Sequence, residues 1–298
     1  MMAYAKTEMK KLTILENEPM AKHTSWRAGG LAKRYVQAES LQALSEFLST
    51  LPEDEELLWV GLGSNTLVRD GGFDGTVIAT QGVMTQLKLI ADDQVYVGAG
   101  VAGAKLARFC SKHGLVGAEF FAGIPGLVGG ALAMNAGAFG GETWPLISEV
   151  ETINRKGEIN KHKASEYKYG YRHVEGPLDE WFVSATLLLA KKKTDNTIDI
   201  KQLLAKRAAT QPMGVASCGS VFTNPEGDYA ARLIEACHLK GKRIGGAVVS
   251  EKHANFIVND DNASAQDIES LIRLIQNEVN EKFGVLLQTE AKIVGDAR

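Results

Sequence analysis

Residues 122–141 read AGIPGLVGGALAMNAGAFGG, and seven of these twenty positions are glycine. With Pro125 and Asn135 among them, the stretch predicts a shaped loop without a regular helix or strand, since glycine admits positive φ and proline lacks an N–H. Backbone amides in such a loop can approach a ligand closely, and an uncharged amide cradle suits a pyrophosphate. A tight packing crossover between two sheets would use the same glycines, so this stretch alone supports either interpretation.

A second glycine loop lies between two short apolar runs. Residues 57–60 (LLWV) and 66–68 (TLV) read as buried strands, and residues 61–65 (GLGSN) separate them. The dinucleotide fingerprint G-x-G-x-x-G requires a helix after its glycines, and position 66 is threonine. The loop therefore does not fit a mononucleotide-binding unit of the NAD type.

These loops belong to an ordered series of motifs. The series begins with residues 59–78 (WVGLGSNTLVRDGGFDGTVI) and the glycine-dense stretch, which contains the IPG and NAGA segments. It continues, in this order, with YGYR, CGSVFTNP, HLKGKRIGGAVVSEKHANFIVN and Glu290. Over about residues 19 to 295 the chain thus resembles the UDP-N-acetylenolpyruvoylglucosamine reductases, bacterial flavoenzymes that complete the muramic acid precursor of peptidoglycan. Several separated motifs in one order are far more specific than any single one.

The resemblance implies an α+β fold. An FAD-binding domain of the vanillyl-alcohol-oxidase/PCMH type would cover residues 1–193, as two α+β subdomains of about 1–82 and 83–193. A smaller α+β substrate-binding domain would cover residues 194–298, with its last strand returning toward the FAD domain. Residues 191–196 (KKKTDN) mark the boundary and read as a solvated loop rather than a binding patch.

The resemblance also implies the ligands and the residues that contact them. FAD would bind without a covalent link, NADPH would be the co-substrate, and the substrate would be an enolpyruvyl UDP-sugar. The expected catalytic residues are Ser220, Arg172 and Glu290, and the expected substrate contacts are Tyr171, Asn224, Lys240 and His253. The expected FAD contacts are Gly61, Gly63, Ser64, Asn65, Thr66, Gly123, Ile124, Pro125, Gly126, Gly130, Asn135, Gly137 and Ala138.

Each expected catalytic residue also has a plainer interpretation. Ser220 would donate the proton in the implied reaction, but its local sequence equally fits a serine packed at the start of a strand. A serine hydrolase would need G-x-S-x-G, and the sequence here is CGSVF. Arg172 would stabilise an enolate, since its guanidinium can form a two-point contact with a carboxylate.

Glu290 lies in residues 285–293 (VLLQTEAKI), which read as a strand with Gln288, Glu290 and Lys292 on its less apolar face. By local sequence Glu290 would be a solvated carboxylate. The resemblance makes it catalytic, either protonated near the enolate or orienting the acid, and the sequence does not decide between these two roles.

Composition excludes several classes of protein. The 298 residues are 45% hydrophobic and 23% charged with a net charge of −3, which gives no electrostatic reason to expect a nucleic acid or an anionic membrane as partner. Three cysteines without C-x-x-C spacing indicate neither a disulfide framework nor a metal site, and fit a reducing compartment. We therefore expect a cytoplasmic protein, monomeric or weakly oligomeric.

Local patterns predict several elements. Ser264 and Asp267 form a capping box at the start of an amphipathic helix that ends at Gly284, and residues 150–157 suggest a hairpin. The first 17 residues read as a loose lead-in. The resemblance implies that the segment around Trp26 lies at the flavin. Trp26 could therefore line the cofactor site, or it could be a residue of the hydrophobic core.

Chain length indicates the shorter subtype of the family. Residues 173–219, 47 positions between Arg172 and Ser220, leave no space for the insertion that closes over the substrate in the longer subtype. Two alternative functions are an FAD-dependent sugar or lactone oxidase on the same scaffold and a flavin-binding module without turnover. The oxidase would keep the glycine loops but has no need for Arg172, Ser220 and Glu290 together.

Overall fold

The computed structural model describes residues 12–192 and 199–297, and within these ranges the elements alternate between short strands and helices. The α-helices are α1 (Leu41–Leu48), α2 (Gly103–Lys112), α3 (Val128–Met134), α4 (Ile200–Thr210), α5 (Ala230–Ala236) and α6 (Ala265–Phe283). The 3-10 helices are Met20–Lys22, Glu119–Gly123, Trp144–Leu146 and Ala164–Glu166. The strands are β1 (Leu12–Pro19), β2 (Leu31–Ala38), β3 (Leu57–Val60), β4 (Thr66–Val68), β5 (Phe73–Ala79), β6 (Leu87–Ala91), β7 (Gln94–Gly98), β8 (Leu115–Val116), β9 (Gly137–Ala138), β10 (Gly141–Glu142), β11 (Ile147–Asn154), β12 (Ile159–Lys163), β13 (Lys168–Gly170), β14 (His173–Glu175), β15 (Glu180–Leu188), β16 (Ala190–Lys191), β17 (Arg243–Ile244), β18 (Ala247–Val249), β19 (Ile257–Asn259) and β20 (Lys292–Val294).

Two sheets build the first two thirds of the chain. The first has the strand order β1-β2-β5-β3, in which β2 and β3 pair in parallel with β5. The second is antiparallel with the order β12-β11-β15-β7-β6. β11 and β12 form the hairpin that residues 150–157 predicted, and that prediction is confirmed. One buried apolar cluster lies on the first sheet and another on the second, and a third cluster joins the two sheets through Val36 and Ile78 of the first and Ile153 and Val183 of the second.

The last third of the chain forms a third core. The strands β17, β18 and β19 make an antiparallel sheet, against which α6 packs. The capping box of Ser264 and Asp267 starts α6, and Gly284 ends it at φ +67°, as predicted. The buried face of α6 includes Ile268, Ile272 and Ile275. Helical periodicity therefore placed this element correctly.

The C-terminal part is joined to the first sheet region by backbone pairing and polar contacts. β20 pairs in parallel with β4. The Asp70 carboxylate accepts hydrogen bonds from the backbone N–H groups of Ala265 (3.1 Å) and Gln266 (2.8 Å) in the first turn of α6. Trp26 is fully buried in the C-terminal core, and its Nε1 donates to the Ile257 carbonyl at 2.8 Å. Of the two interpretations of Trp26, the structure supports the core residue.

Several local expectations are wrong or fall outside the described residues. The glycine-dense stretch contains α3 and the short strands β9 and β10, so the prediction of a loop without helix or strand is wrong. Gly129 in α3 packs so closely on Ala99 that a Cβ at Gly129 would lie 3.0 Å from that of Ala99. Residues 12–17 belong to β1 and are not a lead-in, since β2 supplies their hydrogen-bond partners. Residues 1–11, and the proposed boundary at 193 and 194 within the predicted loop 191–196, lie outside the described residues.

None of the helices in the described ranges is both long enough and apolar enough to cross a membrane.

Candidate functional site

A cavity of about 420 Å³ lies where the glycine loops of the first two thirds meet the C-terminal part. Its walls come from the loop after β3, the glycine-dense stretch, the segment that follows α4, and the segments around Ser220 and Glu290. Arg172, Ser220 and Glu290, which are far apart in the sequence, all line it. All the expected FAD contacts except Asn135 line it as well.

The glycine loops form a cradle that suits a nucleotide cofactor. A Cβ at Gly63, which has φ +59°, would overlap the carbonyl oxygen of His23, so this turn requires glycine. A Cβ at Gly130 would meet no atom within 4 Å, so any side chain at this cavity-lining position would occupy the ligand space. Ser64 Oγ donates to the Pro125 carbonyl at 3.1 Å and joins the two loops. The residues present therefore fit FAD.

Asn135 lies behind the cavity wall rather than in it. It ends α3 in the left-handed conformation at φ +47°, with its side chain fully buried. Its Nδ2 donates to Glu142 Oε2 (3.0 Å) and to the Gly170 carbonyl (2.9 Å), and its Oδ1 accepts from the Trp144 N–H (3.0 Å). These contacts connect the glycine stretch to the residues that immediately precede Arg172.

Arg172 is held by three contacts on the cavity wall. It has φ +55°, and its Nη2 donates to the Gly137 carbonyl at 2.7 Å. Its Nη1 is 3.4 Å from the Asn135 carbonyl, and its Nε donates to Glu290 Oε1 at 3.1 Å. A guanidinium has five N–H groups, so two of them remain for a ligand.

Glu290 pairs with Arg172 but does not lie in a strand. The predicted strand over residues 285–293 is correct only for Lys292 and Ile293, which belong to β20; before them, Thr289 forms an isolated antiparallel bridge with Phe222. As part of this bridge the Glu290 backbone N–H donates to the Val221 carbonyl (2.8 Å), and the Glu290 carbonyl accepts from Asn65 Nδ2 (2.9 Å). Burial raises the pKa of Glu290 above its ordinary value, and the positive charge and hydrogen bond of Arg172 partly oppose this rise.

Ser220 is half-buried at the start of a short extended segment. Gly219 precedes it at φ +82°, and Val221 N–H donates to the Asn255 carbonyl at 2.9 Å. Asn255 Oδ1 accepts from the Phe222 N–H (2.9 Å), and Asn255 Nδ2 donates to the Phe222 carbonyl (2.8 Å). Among the described residues, the Ser220 hydroxyl has no hydrogen-bond partner, so it is available to a ligand in the cavity.

The four expected substrate contacts lie outside the cavity wall. The Tyr171 hydroxyl accepts a hydrogen bond from the Asn224 N–H at 3.2 Å, and the Tyr171 ring lies 5.0 Å from the guanidinium of Arg172. Lys240 Nζ pairs with Glu235 Oε1 at 2.8 Å. Burial lowers the pKa of His253, and the positive charge of Lys240 adds to this shift.

Sequence reasoning missed the segment that follows α4, which lines the cavity, and two polar side chains of the site. Asn255 is 4% exposed and binds the segment after Ser220, as described above. Arg207, near the end of α4, lines the cavity. The polar Asn255 beside the apolar run of residues 256–258 was a usable signal, whereas nothing in the sequence around Arg207 indicated a site.

Comparison with known proteins agrees with this geometry. Residues 32–162 match the family model described as an FAD binding domain. Residues 211–294 match the model of the C-terminal domain of UDP-N-acetylenolpyruvoylglucosamine reductase. The α+β class, with an FAD-binding domain of the vanillyl-alcohol-oxidase/PCMH type, is confirmed.

Whole-chain relatives extend the match. The UDP-N-acetylenolpyruvoylglucosamine reductase of Legionella pneumophila (strain Lens) is 55% identical, over 96% of this chain and 93% of the relative. The enzyme of the same name from Alkalilimnicola ehrlichii is also 55% identical, over 94% of both chains. The crystal structure of the Thermus caldophilus enzyme superposes with a TM-score of 0.78 at 29% identity, over 95% of this chain and 98% of that one. The motif resemblance is thereby confirmed, and the chain belongs to the UDP-N-acetylenolpyruvoylglucosamine reductase family.

Proposed function

We propose that this protein reduces UDP-N-acetyl-3-O-(1-carboxyvinyl)glucosamine to UDP-N-acetylmuramate, with NADPH as reductant and FAD as non-covalent cofactor. The observation that carries the proposal is that Arg172, Ser220 and Glu290 line one cavity with the glycine loops. The glycine loops would hold FAD, which would supply the hydride chemistry between NADPH and the substrate, since no amino-acid side chain supplies hydride.

The substrate needs two further contributions from the chain. When hydride adds to the terminal vinyl carbon, the electron pair of the double bond moves toward the carboxylate and forms an enolate. Arg172 stabilises this charge, because its guanidinium is already fixed by Gly137 and Glu290 and has two free N–H groups aimed by that arrangement. Fixed donors need no reorganisation as the charge develops.

Ser220 completes the reaction by donating its hydroxyl proton to the carbon that bears the ether oxygen. The O–H bond of the serine breaks, the new C–H bond forms from the enolate electron pair, and water returns a proton to the serine oxygen. The Ser220 hydroxyl has no competing partner among the described residues, and Asn255 fixes the backbone that follows it. Such positioning favours general-acid assistance.

Glu290 acts in this proposal as the residue that orients Arg172. Its carboxylate accepts from Arg172 Nε at 3.1 Å, and Asn65 and Val221 fix its backbone from two sides. The UDP part of the substrate would contact Tyr171 and Asn224 beside Arg172. Lys240 and His253, which lie near each other, would also contact it.

The domain division is also part of the proposal. Residues 1–193 would bind FAD, as subdomains of about 1–82 and 83–193, and residues 194–298 would bind substrate. The separate C-terminal core supports the division at 193, although Trp26 and Leu67 pack into that core, whereas a shared cluster with Ile78 and Ile153 joins the two subdomains. The enzyme would be cytoplasmic, in keeping with its free cysteines, and monomeric or weakly oligomeric, which sedimentation velocity would test.

The decisive experiment follows the flavin colour of the purified protein under anaerobic conditions. NADPH should bleach the flavin absorbance rapidly, and only the enolpyruvyl UDP-sugar should restore it. Bleaching by a free sugar or lactone instead would favour the oxidase, and the absence of any bleaching would favour a flavin-binding module. UDP-N-acetylglucosamine, which lacks the vinyl group, is the matched control and should leave the flavin reduced.

Acid precipitation tests the non-covalent link. Cys218 lines the cavity, but burial raises the pKa of its thiol well above the ordinary value, and the negative charge of Glu290 adds to this rise. A protonated thiol is a poor nucleophile, so it should form no bond to the flavin. All the yellow colour should appear in the acid supernatant, and colour in the pellet would contradict the proposal.

A further inference from the structure

Arg207 lies on the flavin side of the cavity, outside the set of residues to which a role has been given. It belongs to the last turns of α4, is half-buried, and lines the cavity. α4 packs on the 3-10 helix Glu119–Gly123, which leads directly into the cavity-lining loop 123–126. Arg207 therefore lines the same cavity as the loop that the proposed function gives to FAD, on a helix that packs against the segment leading into that loop.

Arg207 has no carboxylate partner among the described residues. Among the described residues that line the cavity, the charged ones are Arg172, Arg207 and Glu290, and the first and last pair with each other. Arg207 donates from Nε to Gln211 Oε1 at 3.2 Å, and no carboxylate of the described chain pairs with it. Burial lowers the pKa of Arg207, and no nearby negative charge opposes this shift. Since an arginine stays protonated in proteins, this is a partly desolvated cation that an anionic ligand would stabilise.

We propose that Arg207 binds the diphosphate of FAD. The inference rests on the proposed function for its cofactor and deepens it by adding a charged contact to a cradle otherwise built from backbone amides. A guanidinium can give two parallel N–H contacts to phosphate oxygens, and its Nη groups are free for this among the described residues. NADPH and the UDP-sugar also carry diphosphates, but Lys240 and His253, proposed for the UDP-sugar, do not line this cavity.

The test measures flavin binding rather than turnover. The full-length chain is stripped of FAD, and the dissociation constants of FAD and of riboflavin, which has no phosphate, are measured by flavin fluorescence. Arg207→Gln should raise the Kd of FAD about 10- to 100-fold, the usual loss for a charge-assisted hydrogen bond. The Kd of riboflavin should stay within about twofold. Lys206→Gln is the matched control, since it removes the same charge from an exposed neighbour on α4 and should leave both constants unchanged.

Two more measurements keep the test decisive. Arg207→Lys keeps the charge and should give an intermediate Kd for FAD. In the unmodified protein the Kd of FAD should rise with salt more steeply than that of riboflavin, which tests the idea even when a variant fails to fold.

Three results would overturn the inference. Equal losses of FAD and riboflavin in Arg207→Gln would show a structural residue. If Arg207→Gln left the Kd of FAD unchanged but raised the KM for NADPH or for the UDP-sugar, Arg207 would bind the diphosphate of that molecule and not the diphosphate of FAD. An equal dependence of the two Kd values on salt would show that no ionic contact to the diphosphate contributes to FAD binding. Failure of the proposed reaction itself would appear as FAD binding without substrate-driven reoxidation, which is a different outcome.

Discussion

Asn255→Ala should damage both the stability of the fold and the step that Ser220 performs. The Asn255 side chain pairs with both backbone polar groups of Phe222, at 2.9 and 2.8 Å. Asn255 is 4% exposed and Phe222 is 1% exposed, so water cannot replace either contact without local opening.

The size of the stability loss follows from these two contacts. A buried backbone group without a partner costs about 1–3 kcal/mol, so leaving the N–H and C=O of Phe222 unpaired should cost about 2–6 kcal/mol. Equilibrium urea unfolding would measure it. Asn277→Ala deletes the same group at an exposed position of α6 and should change the free energy of unfolding by about 0.5 kcal/mol or less.

The kinetic effect should be confined to one half of the reaction. Loss of the Phe222 contacts frees the segment that positions Ser220, and a shift of about 1 Å in a reacting group costs about 100-fold. Anaerobic stopped-flow should therefore show substrate-driven reoxidation slowed by up to about 100-fold, with NADPH-driven reduction near normal. If Asn255→Ala unfolds at the same urea concentration as the unmodified protein, or slows both half-reactions equally, the positioning argument is wrong.

Three further predictions concern single side chains. Ser220→Ala should slow reoxidation by about 10²–10⁴-fold and leave reduction by NADPH nearly normal, with partial recovery in Ser220→Cys; an equal effect on both half-reactions, or none, would contradict the proton-donor role. Arg172→Lys should lower kcat more than substrate binding, because an ammonium cannot reproduce two-point contact, and an unchanged kcat would make the residue structural. Glu269→Gln should destabilise the fold by about 1–3 kcal/mol at neutral pH, since the pKa of Glu269 is lowered by its hydrogen bond to Arg69 (2.9 Å). That stabilisation is present above the ordinary glutamate pKa and is lost as pH falls through the lowered one, so unfolding curves of variant and unmodified protein should converge in acid.

Elements specified by local chemistry were readable from the sequence. Ser264, Asp267 and Gly284 delimit α6 through contacts within a few residues, so no knowledge of the rest of the fold was needed. The ordered motifs likewise indicated the family, and they selected Arg172, Ser220 and Glu290 as partners. The motifs did not show which of these residues are in contact, because the spacing of residues along a chain does not specify their distance in the folded structure.

Only the tertiary structure decided how the glycine-dense stretch and the residues around Glu290 are folded. Residues 128–134 are helical despite their glycines because Ala99 lies against Gly129, a contact between distant parts of the chain that outweighs weak local helix propensity. The residues before Glu290 do not form the predicted long strand, because their pairing with residues 221–223 is limited to one antiparallel bridge between Phe222 and Thr289. The sequence by itself determined the family, the capped helix and the candidate side chains. Packing determined which of those side chains meet, because burial and charge balance depend on neighbours that come together only on folding. It also left Arg207 in the cavity wall without a carboxylate partner among the described residues.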